Sequence, residues 1–225
     1  YGTTSAATSF DGDGQLTSSL NYVTSSKEYK AYYTTGHGET DLSTSVTDLM
    51  EKSRVSSEVL NLLSSTSIPD DCDLLIMNGP TSDLTDDEIK VLQNYMNNGG
   101  KIICLLAYTD KSMSHLYGFL KDYGMTVSDG YIADTERCYQ GNYYYLIPNV
   151  TASGDMASGM TSNSVLLVNS KGLTVSDPDD DSITTESFMT TSKNGYDITE
   201  KGQTQGTYTL GATAEQTVSV KNKDG

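Results

Sequence analysis

The sequence predicts an α/β protein, a doubly wound, mostly parallel sheet continued by a strand-rich C-terminal extension. Three stretches predict it. Leu84-Thr-Asp-Asp-Glu-Ile89 opens a helix that stops at Asn98-Gly-Gly100 and feeds directly into the apolar run Lys101–Ala107. Lys30–Thr34 is a strand that ends in Gly36-His-Gly-Glu39, and a helical pattern follows soon after. Beyond Asp134 the texture changes to short β-like runs separated by Gly, Asn and Ser, with no strong helix. A helix followed by a glycine turn and a buried strand is half of a doubly wound unit.

The elements follow in chain order. Residues 1–15 are Ser, Thr, Gly and Asp with few apolar residues, expected as a flexible lead-in. The single α/β domain is expected over 16–225, with a doubly wound core at 16–134 and an extension on the same sheet at 135–225. Leu16, Leu20 and Val23 have the spacing of a short helix. After the first strand, Thr40 or Asp41 is positioned to cap a helix with Leu42, Val46, Leu49 and Met50 on one face. Glu58–Leu62 and Asp73–Met77 read as the second and third strands. The link Ser64–Cys72 contains Pro69 and is too short for a full helix, so this crossover departs from regular winding.

In the next helix Thr85 and Glu88 form a capping box, with Leu84 and Ile89 as a hydrophobic staple. Ile89, Leu92, Tyr95 and Met96 make its buried stripe. The run Ile102-Ile-Cys-Leu-Leu106 reads as a strand buried on both faces. Met113–Tyr123 is a helix with Leu116, Phe119, Leu120 and Tyr123 inward, and Met125–Ala133 is a further strand. Tyr143–Ile147, Val165–Val168, Phe188–Thr191, Tyr208–Ala212 and Thr217–Lys221 are expected as strands, Met156–Met160 as one turn, and Pro178–Asp181 as a solvated loop.

Thirty acidic against fourteen basic residues give a net charge of −16. Phosphate binding requires a basic patch, so nucleic acid is not an expected partner, and an anionic membrane surface is disfavoured for the same reason. No apolar run is long enough to span a bilayer. The chain opens at Tyr1 and reads as a piece of a longer protein. Cys72, Cys104 and Cys138 are widely spaced and include no CxxC pair, so zinc and redox sites lack support and disulfide status stays open. Neither GxGxxG nor GxxxxGK[ST] occurs, and no cofactor is expected.

Candidate site residues cluster on the loops after strands, where open α/β sheets collect ligands. His37 and Glu39 can present an imidazole and a carboxylate to one ligand, with Gly36 and Gly38 allowing positive φ or close approach. The alternative is a tight turn whose histidine bonds to a neighbouring helix or carbonyl. Asp110 and His115 lie after the fourth strand and are candidates to join that pair. Metal-ligand spacing is missing, and the fourth strand ends Ala107-Tyr-Thr-Asp110 without the Cys or Ser that acyl transfer needs, so neither a metal nor a catalytic residue is assigned. Asp11-Gly-Asp-Gly14 begins like a calcium loop without its closing Glu. Tyr139, Tyr143, Tyr144 and Tyr145 supply flat, half-apolar contact area, suited to protein or sugar and equally to edge strands facing solvent.

Four ordered motifs carry a family resemblance: Tyr33-Thr-Thr-Gly-His-Gly-Glu39, Ile68-Pro-Asp-Asp-Cys-Asp-Leu-Leu-Ile-Met-Asn-Gly-Pro80, Asn97-Asn-Gly-Gly-Lys-Ile-Ile103 and Thr207-Tyr-Thr-Leu-Gly-Ala-Thr-Ala-Glu215. Over roughly residues 16 to 220 the chain resembles the extracytoplasmic domain of gliding-motility-type auxiliary components of ABC transporters. The resemblance implies a Rossmann-like or glutamine-amidotransferase-like fold without established catalysis. It implies ABC permease and ATPase subunits as partners. It also implies a place on the extracytoplasmic face of a bacterial cell membrane, anchored by transmembrane segments outside this chain. The expected function is thus a non-enzymatic auxiliary binding module that docks to the permease or a surface substrate. Two alternatives remain open, a small-ligand or glycan receptor at the His37/Glu39 loop and a cryptic hydrolase.

Overall fold

A computed structural model describes residues 28–151 and 165–219. The helix expected at Leu16–Val23, the Asp11–Gly14 pattern and the turn at Met156–Met160 lie outside them. The first half of the described chain builds a four-stranded parallel sheet of order β2-β1-β3-β4, from β1 (Tyr29–Thr35), β2 (Val55–Asn61), β3 (Leu74–Asn78) and β4 (Ile102–Leu105). Helix α1 (Thr44–Lys52) links β1 to β2, and α2 (Asp86–Asn97) links β3 to β4. Between β2 and β3 there is only a turn of 3-10 helix, Leu62–Ser64, before the loop to Asp73. The chain steps to one side of β1 for β2 and returns to its other side for β3, which makes the carboxyl ends of β1 and β3 a switch point.

Strand alternation sorts the sheet into two faces. Tyr32, Leu60, Leu75 and Met77 point into the main core, where they meet Leu92 of α2 and Leu116, Phe119 and Leu120 of α3 (Ser114–Asp122). On the other face Val59, Tyr33, Ile76 and Ile103 lie in register across the four strands. Val59 and Ile103 are exposed there, as is Leu105. The strand expected to be buried on both faces is therefore an edge strand that alternates between half-buried and exposed residues. Its apolar run reflects β propensity rather than two-sided burial.

Helix α2 is built as its sequence predicts. The Thr85 hydroxyl accepts from Glu88 N at 3.3 Å, Glu88 Oε2 accepts from Thr85 N at 2.8 Å, and Gly99 takes φ +83° just past the end. Helix α1 differs from expectation. Its N-cap position is Ser43 rather than Thr40 or Asp41, there is no side-chain cap, and none of its residues is buried. Leu49 and Val46, expected on its inner face, are exposed. Thr40 is instead tied to β3, donating its N–H to Asn78 O at 3.0 Å and accepting from Asn78 Nδ2 at 2.7 Å.

The second half does not extend the parallel sheet. It forms three antiparallel sheets of order β5-β11-β15-β12-β9, β14-β13-β6 and β10-β8-β7. The elements are β5 (Met125–Val127), β6 (Tyr131–Asp134), β7 (Cys138–Tyr139), β8 (Asn142–Leu146), β9 (Asn149–Val150), β10 (Leu167–Val168), β11 (Leu173–Val175), β12 (Ile183–Thr190), β13 (Gly195–Thr199), β14 (Gly202–Gly206) and β15 (Thr209–Gln216). Antiparallel partners need only a tight turn, whereas a strand joining the parallel sheet would need a crossover, and among the described residues of this half no helix makes one. The single strand expected at Met125–Ala133 is two, split at Ser128-Asp-Gly130 between two of these sheets. Gly130 has no space for a Cβ against Asp197 and Ile198.

The halves are joined through α3. Tyr123 at its end is buried, donates its hydroxyl to Gln216 Oε1 at 3.3 Å and accepts from Thr185 Oγ1 at 2.7 Å. Ile183 enters the same core. Tyr131 stacks on Tyr108 with centroids 5.0 Å apart and donates to Thr109 O at 3.0 Å. All three cysteines are free, and burial pushes the Cys104 thiol up to about 12, consistent with a thiol that packs as a small hydrophobe.

Candidate functional site

At the end of β1 the chain turns through Gly36 (φ +115°) and Gly38 (φ +79°), which sends the His37 side chain inward. His37 is 3 % exposed. Its two ring nitrogens face different carboxylates, with Nε2 3.2 Å from Glu88 Oε2 and Nδ1 3.9 Å from Glu39 Oε1. The carboxylates are as buried as the ring, at 1 % for the Glu39 side chain and 7 % for Glu88. Glu39 Oε2 also accepts from the His37 N–H at 2.7 Å, and Glu88 Oε2 accepts from Thr85 Oγ1 at 2.8 Å. The carboxylates bracket the ring from opposite nitrogens and do not converge on one point. Among the described residues, no group of three or more His, Cys, Asp or Glu side chains is arranged to hold a metal ion.

The loop after β3 seals this cluster. Thr81 N and Ser82 N donate to His37 O at 2.8 and 3.0 Å, and the Thr81 side chain lies so close to Gly38 that an added Cβ would collide with it. The loop after β4 joins in turn, since Thr109 Oγ1 donates to Thr81 O at 3.1 Å. The three loops thus gather at the carboxyl edge as the topology predicts, but they bond to one another around a buried interior. Three polar atoms inside it lack a partner, His37 Nδ1, Glu39 Oε1 and Glu88 Oε1, and so does Thr34 Oγ1, buried on β1. Buried polar groups without a bond are uncommon and mark a place under strain or in use.

His115 and Asp110 do not join this cluster. The His115 Nδ1 lies 2.8 Å from Asp83 Oδ2. That hydrogen bond raises the imidazole above its ordinary value. Asp83 also accepts from the N–H groups of His115 and Leu116, at 2.9 and 3.0 Å, and from Ser114 Oγ at 3.1 Å. Desolvation opposes ionisation of Asp83, yet these donors to its carboxylate hold it below the ordinary value. Asp110 is exposed beside Tyr131. His37 thus meets the first turn of α2 through Glu88, whereas His115 lies in the first turn of α3, where Asp83 accepts from the helix N–H groups.

The four tyrosines form a separate feature. Tyr139 and Asn142 close a two-residue hairpin whose central residues, Gln140 and Gly141, have φ of +51° and +75°, the signature of a type I′ turn. Tyr139, Tyr143, Tyr144 and Tyr145 are exposed by 46, 51, 36 and 37 %. Alternation places Tyr143 and Tyr145 on one side of β8 and Tyr144 on the other. Val168, opposite Tyr145, is exposed as well.

Two residues not among the expected site residues stand out. Glu88 was legible as a helix cap, but its contact with His37 links positions 51 residues apart in the chain and leaves no local signal. Asp134, 1 % exposed, accepts from Glu136 N, Arg137 N and Ser192 N at 2.9, 2.9 and 2.7 Å, and from Ser192 Oγ at 2.8 Å. Its Asp-Thr-Glu-Arg context is a local turn signal, whereas the bonds to Ser192 are tertiary. A cleft of about 360 Å³ lies elsewhere, between the ends of α2 and α3 and the Asp179–Asp180 loop.

The comparisons with known proteins bear on this geometry. The model of the family described as ABC-type uncharacterized transport system matches residues 28–207, most of the chain. The chain belongs to that family. This bears out the resemblance carried by the four motifs and supports an auxiliary component associated with ABC transport. Among solved structures, the mmIFT52 N-terminal domain is similar at 16 % identity, with a TM-score of 0.53 and 74 % of each chain covered. At that identity the likeness concerns the fold alone. No curated protein matches the chain.

Proposed function

We propose that the protein is a non-enzymatic, extracytoplasmic auxiliary module of an ABC-type transport system, docking to the permease or to a surface substrate. The observation that carries the reading is family membership over residues 28–207 combined with the placement of chemistry in the fold. The imidazole and carboxylates that a hydrolase would expose are sealed. Side chains offered to solvent include those of the aromatic hairpin, Val59, Ile103 and Leu105 on the open face of the parallel sheet and, at its carboxyl edge, Tyr108 and Asp110. Segments outside this chain anchor it at the membrane, and the ABC permease and ATPase are its neighbours.

The test is crosslinking and affinity purification of the full-length protein from its native membranes, read by mass spectrometry. Recovery of an ABC permease and ATPase supports the reading. Recovery of the protein alone, or with only a small molecule bound, overturns it.

A second reading is favoured by the three unpartnered atoms of the His37 cluster, His37 Nδ1, Glu39 Oε1 and Glu88 Oε1. In that reading the loops after β1 and β3 open to admit a small polar ligand. Such a ligand would raise the melting temperature of the wild type and not of His37→Ala. A screen of polar metabolites that yields no such shift sinks this second reading.

A further inference from the structure

We infer that residues 16–23 of this chain pack as a helix along β1 and β3, on the open face of the parallel sheet. The inference goes beyond the function proposed above and does not depend on it. Four observations meet there.

The first is the face itself. None of the strand residues that alternation places on it is Asp, Glu, Lys or Arg, in a chain of net charge −16. Val59, Ile103 and Leu105 are exposed there, on the two outer strands. Ala31 of β1 and Ile76 of β3 are buried, yet neither is part of the core on the other side. Bare outer strands and a shielded centre are what one helix leaves when it lies lengthwise over the middle. Its width of about 10 Å spans two strands set about 4.8 Å apart.

The second is the winding. The steps from β1 to β2 and from β3 to β4 run in opposite directions, so right-handed crossovers set α1 and α2 on opposite faces. Helix α2 packs on the core, which leaves α1 for the open face. None of its residues is buried, and Val46 and Leu49 are exposed, so α1 does not close that face.

The third is where the preceding chain arrives. Residues 1–27 lead into β1, an inner strand, and its core side is already filled by Leu75, Leu92 and Leu116. Leu16, Leu20 and Val23 recur at i, i+4 and i+7, one face of a helix, and residues 14–26 include no charged side chain. Eight helical residues rise about 12 Å, which matches the about 13 Å of a four-residue strand such as β4. Residues 24–28 can reach about 16 Å, more than the about 10 Å between packed layers. A helix that enters β1 through this link runs antiparallel to it, with Leu20 over the row Val59–Tyr33–Ile76–Ile103.

The fourth is the choice of occupant. A helix this short is not stable alone in water, and the sheet face gains by being covered. Held by a short link, the segment is present at an effective concentration on the order of millimolar, ahead of any free partner. A second copy brings the same charge of −16 to the contact and is repelled.

The test uses the 225-residue chain with isotope-labelled Leu, Ile and Val methyl groups. The expected result is a nuclear Overhauser contact between Leu20 and Ile76 methyls within one chain. In Leu16→Ser/Leu20→Ser the Ile76 and Ile103 methyl signals should shift. Fluorescence of the dye ANS should rise about twofold or more in that variant, as apolar surface opens. Ser18→Asp, on the opposite side of the same helix, should leave both readouts unchanged. Lack of contact between residues 16–23 and that row in the wild type overturns the inference, whatever the variants do. An unchanged spectrum in Leu16→Ser/Leu20→Ser, or an equal response in Ser18→Asp, overturns it as well. Contacts that appear only between chains, in mixtures of labelled and unlabelled protein, assign the face to a second copy and overturn it too. None of these readouts involves a permease, so the docking function stands or falls separately.

Discussion

The loop after β1 and the hairpin β7–β8 treat their side chains in opposite ways. The loop buries an imidazole and two carboxylates and covers them with the backbone of its neighbours. The hairpin holds four aromatic rings out in solvent. Burying charge-bearing groups is costly and exposing aromatic area forgoes hydrophobic stabilisation, so neither arrangement is explained by folding stability alone. In the first region the polar cluster ties three loops at a topological switch point into one body. In the second, the uncommitted apolar surface is available to a partner. The contrast is between a polar set sealed inside the fold and an aromatic set left partly in solvent.

The largest expected effect tests whether buried carboxylates in this protein are structural. Asp134→Ala leaves the N–H groups of Glu136, Arg137 and Ser192 without their acceptor, an expected loss of about 4 kcal/mol in urea unfolding. The acid side follows the same logic. Desolvation resists ionisation of Asp134, but the donors from Arg137, Ser192 and Glu136 prevail and hold its folded-state value below the ordinary one. Its stabilisation is therefore present above the unfolded value of about 3.9 and is lost as pH falls through the lower folded value. The acid limb of the stability curve should flatten in Asp134→Asn.

His37→Ala tests the loop directly. It strands Glu39 and Glu88 in a sealed interior, with an expected loss of about 3 kcal/mol. Partner capture by the folded fraction should be unchanged. A variant that keeps its stability but loses capture would break the comparison, because the cluster would then belong to a binding surface.

Gly38→Ala sharpens it from the backbone side. The residue sits at φ +79° and its missing Cβ leaves room for the Thr81 hydroxyl. A loss of about 2 kcal/mol is expected from conformational strain and the displaced loop. Thr81→Ala should return part of that loss when combined with it, and additive losses in the double variant would show that the two loops are not coupled through this contact.

The degree to which each region could be read from sequence follows from the range of its interactions. The capping box of α2 lies within four residues, and both of its hydrogen bonds are present. The inward stripe Leu116, Phe119, Leu120 and Tyr123 is a helical period and is buried as read. The loops after β1 and β4 were legible as neighbours because strand order and carboxyl-end geometry follow from the α/β pattern. That His37 turns inward depends on Gly36, Gly38 and the Thr81 loop together, and on Glu88 arriving from α2. No spacing in one sequence encodes that meeting. The same limit explains β4, where composition indicated two-sided burial while position at the sheet edge decides exposure. It explains Met125–Ala133 as well, where a continuous β-like run hides a change of sheet at Gly130.

His115 provides a smaller, pH-resolved contrast with His37. The Asp83 carboxylate at 2.8 Å raises its folded value above the ordinary 6.5. The stabilisation is complete below the unfolded value and is lost as pH rises through the folded one. Melting temperature should therefore decline modestly from about pH 6 to about pH 8 through this pair, and His115→Gln should remove that part of the decline. An NMR titration that places the His115 midpoint at or below the ordinary value sinks the account.

The smallest expected effect on stability is at the hairpin, and its smallness is the point. Tyr143 and Tyr145 expose half and more than a third of their surface, on a strand paired with β7 and β10. Tyr143→Ala/Tyr145→Ala should shift unfolding by no more than about 0.5 kcal/mol, the range of surface substitutions. A loss several times larger would mean the rings pack against the fold in solution, and the contrast between a knitted loop and an exposed aromatic hairpin would collapse. If stability holds, any change in what the variant captures is a change in recognition, since the fold beneath it is the same.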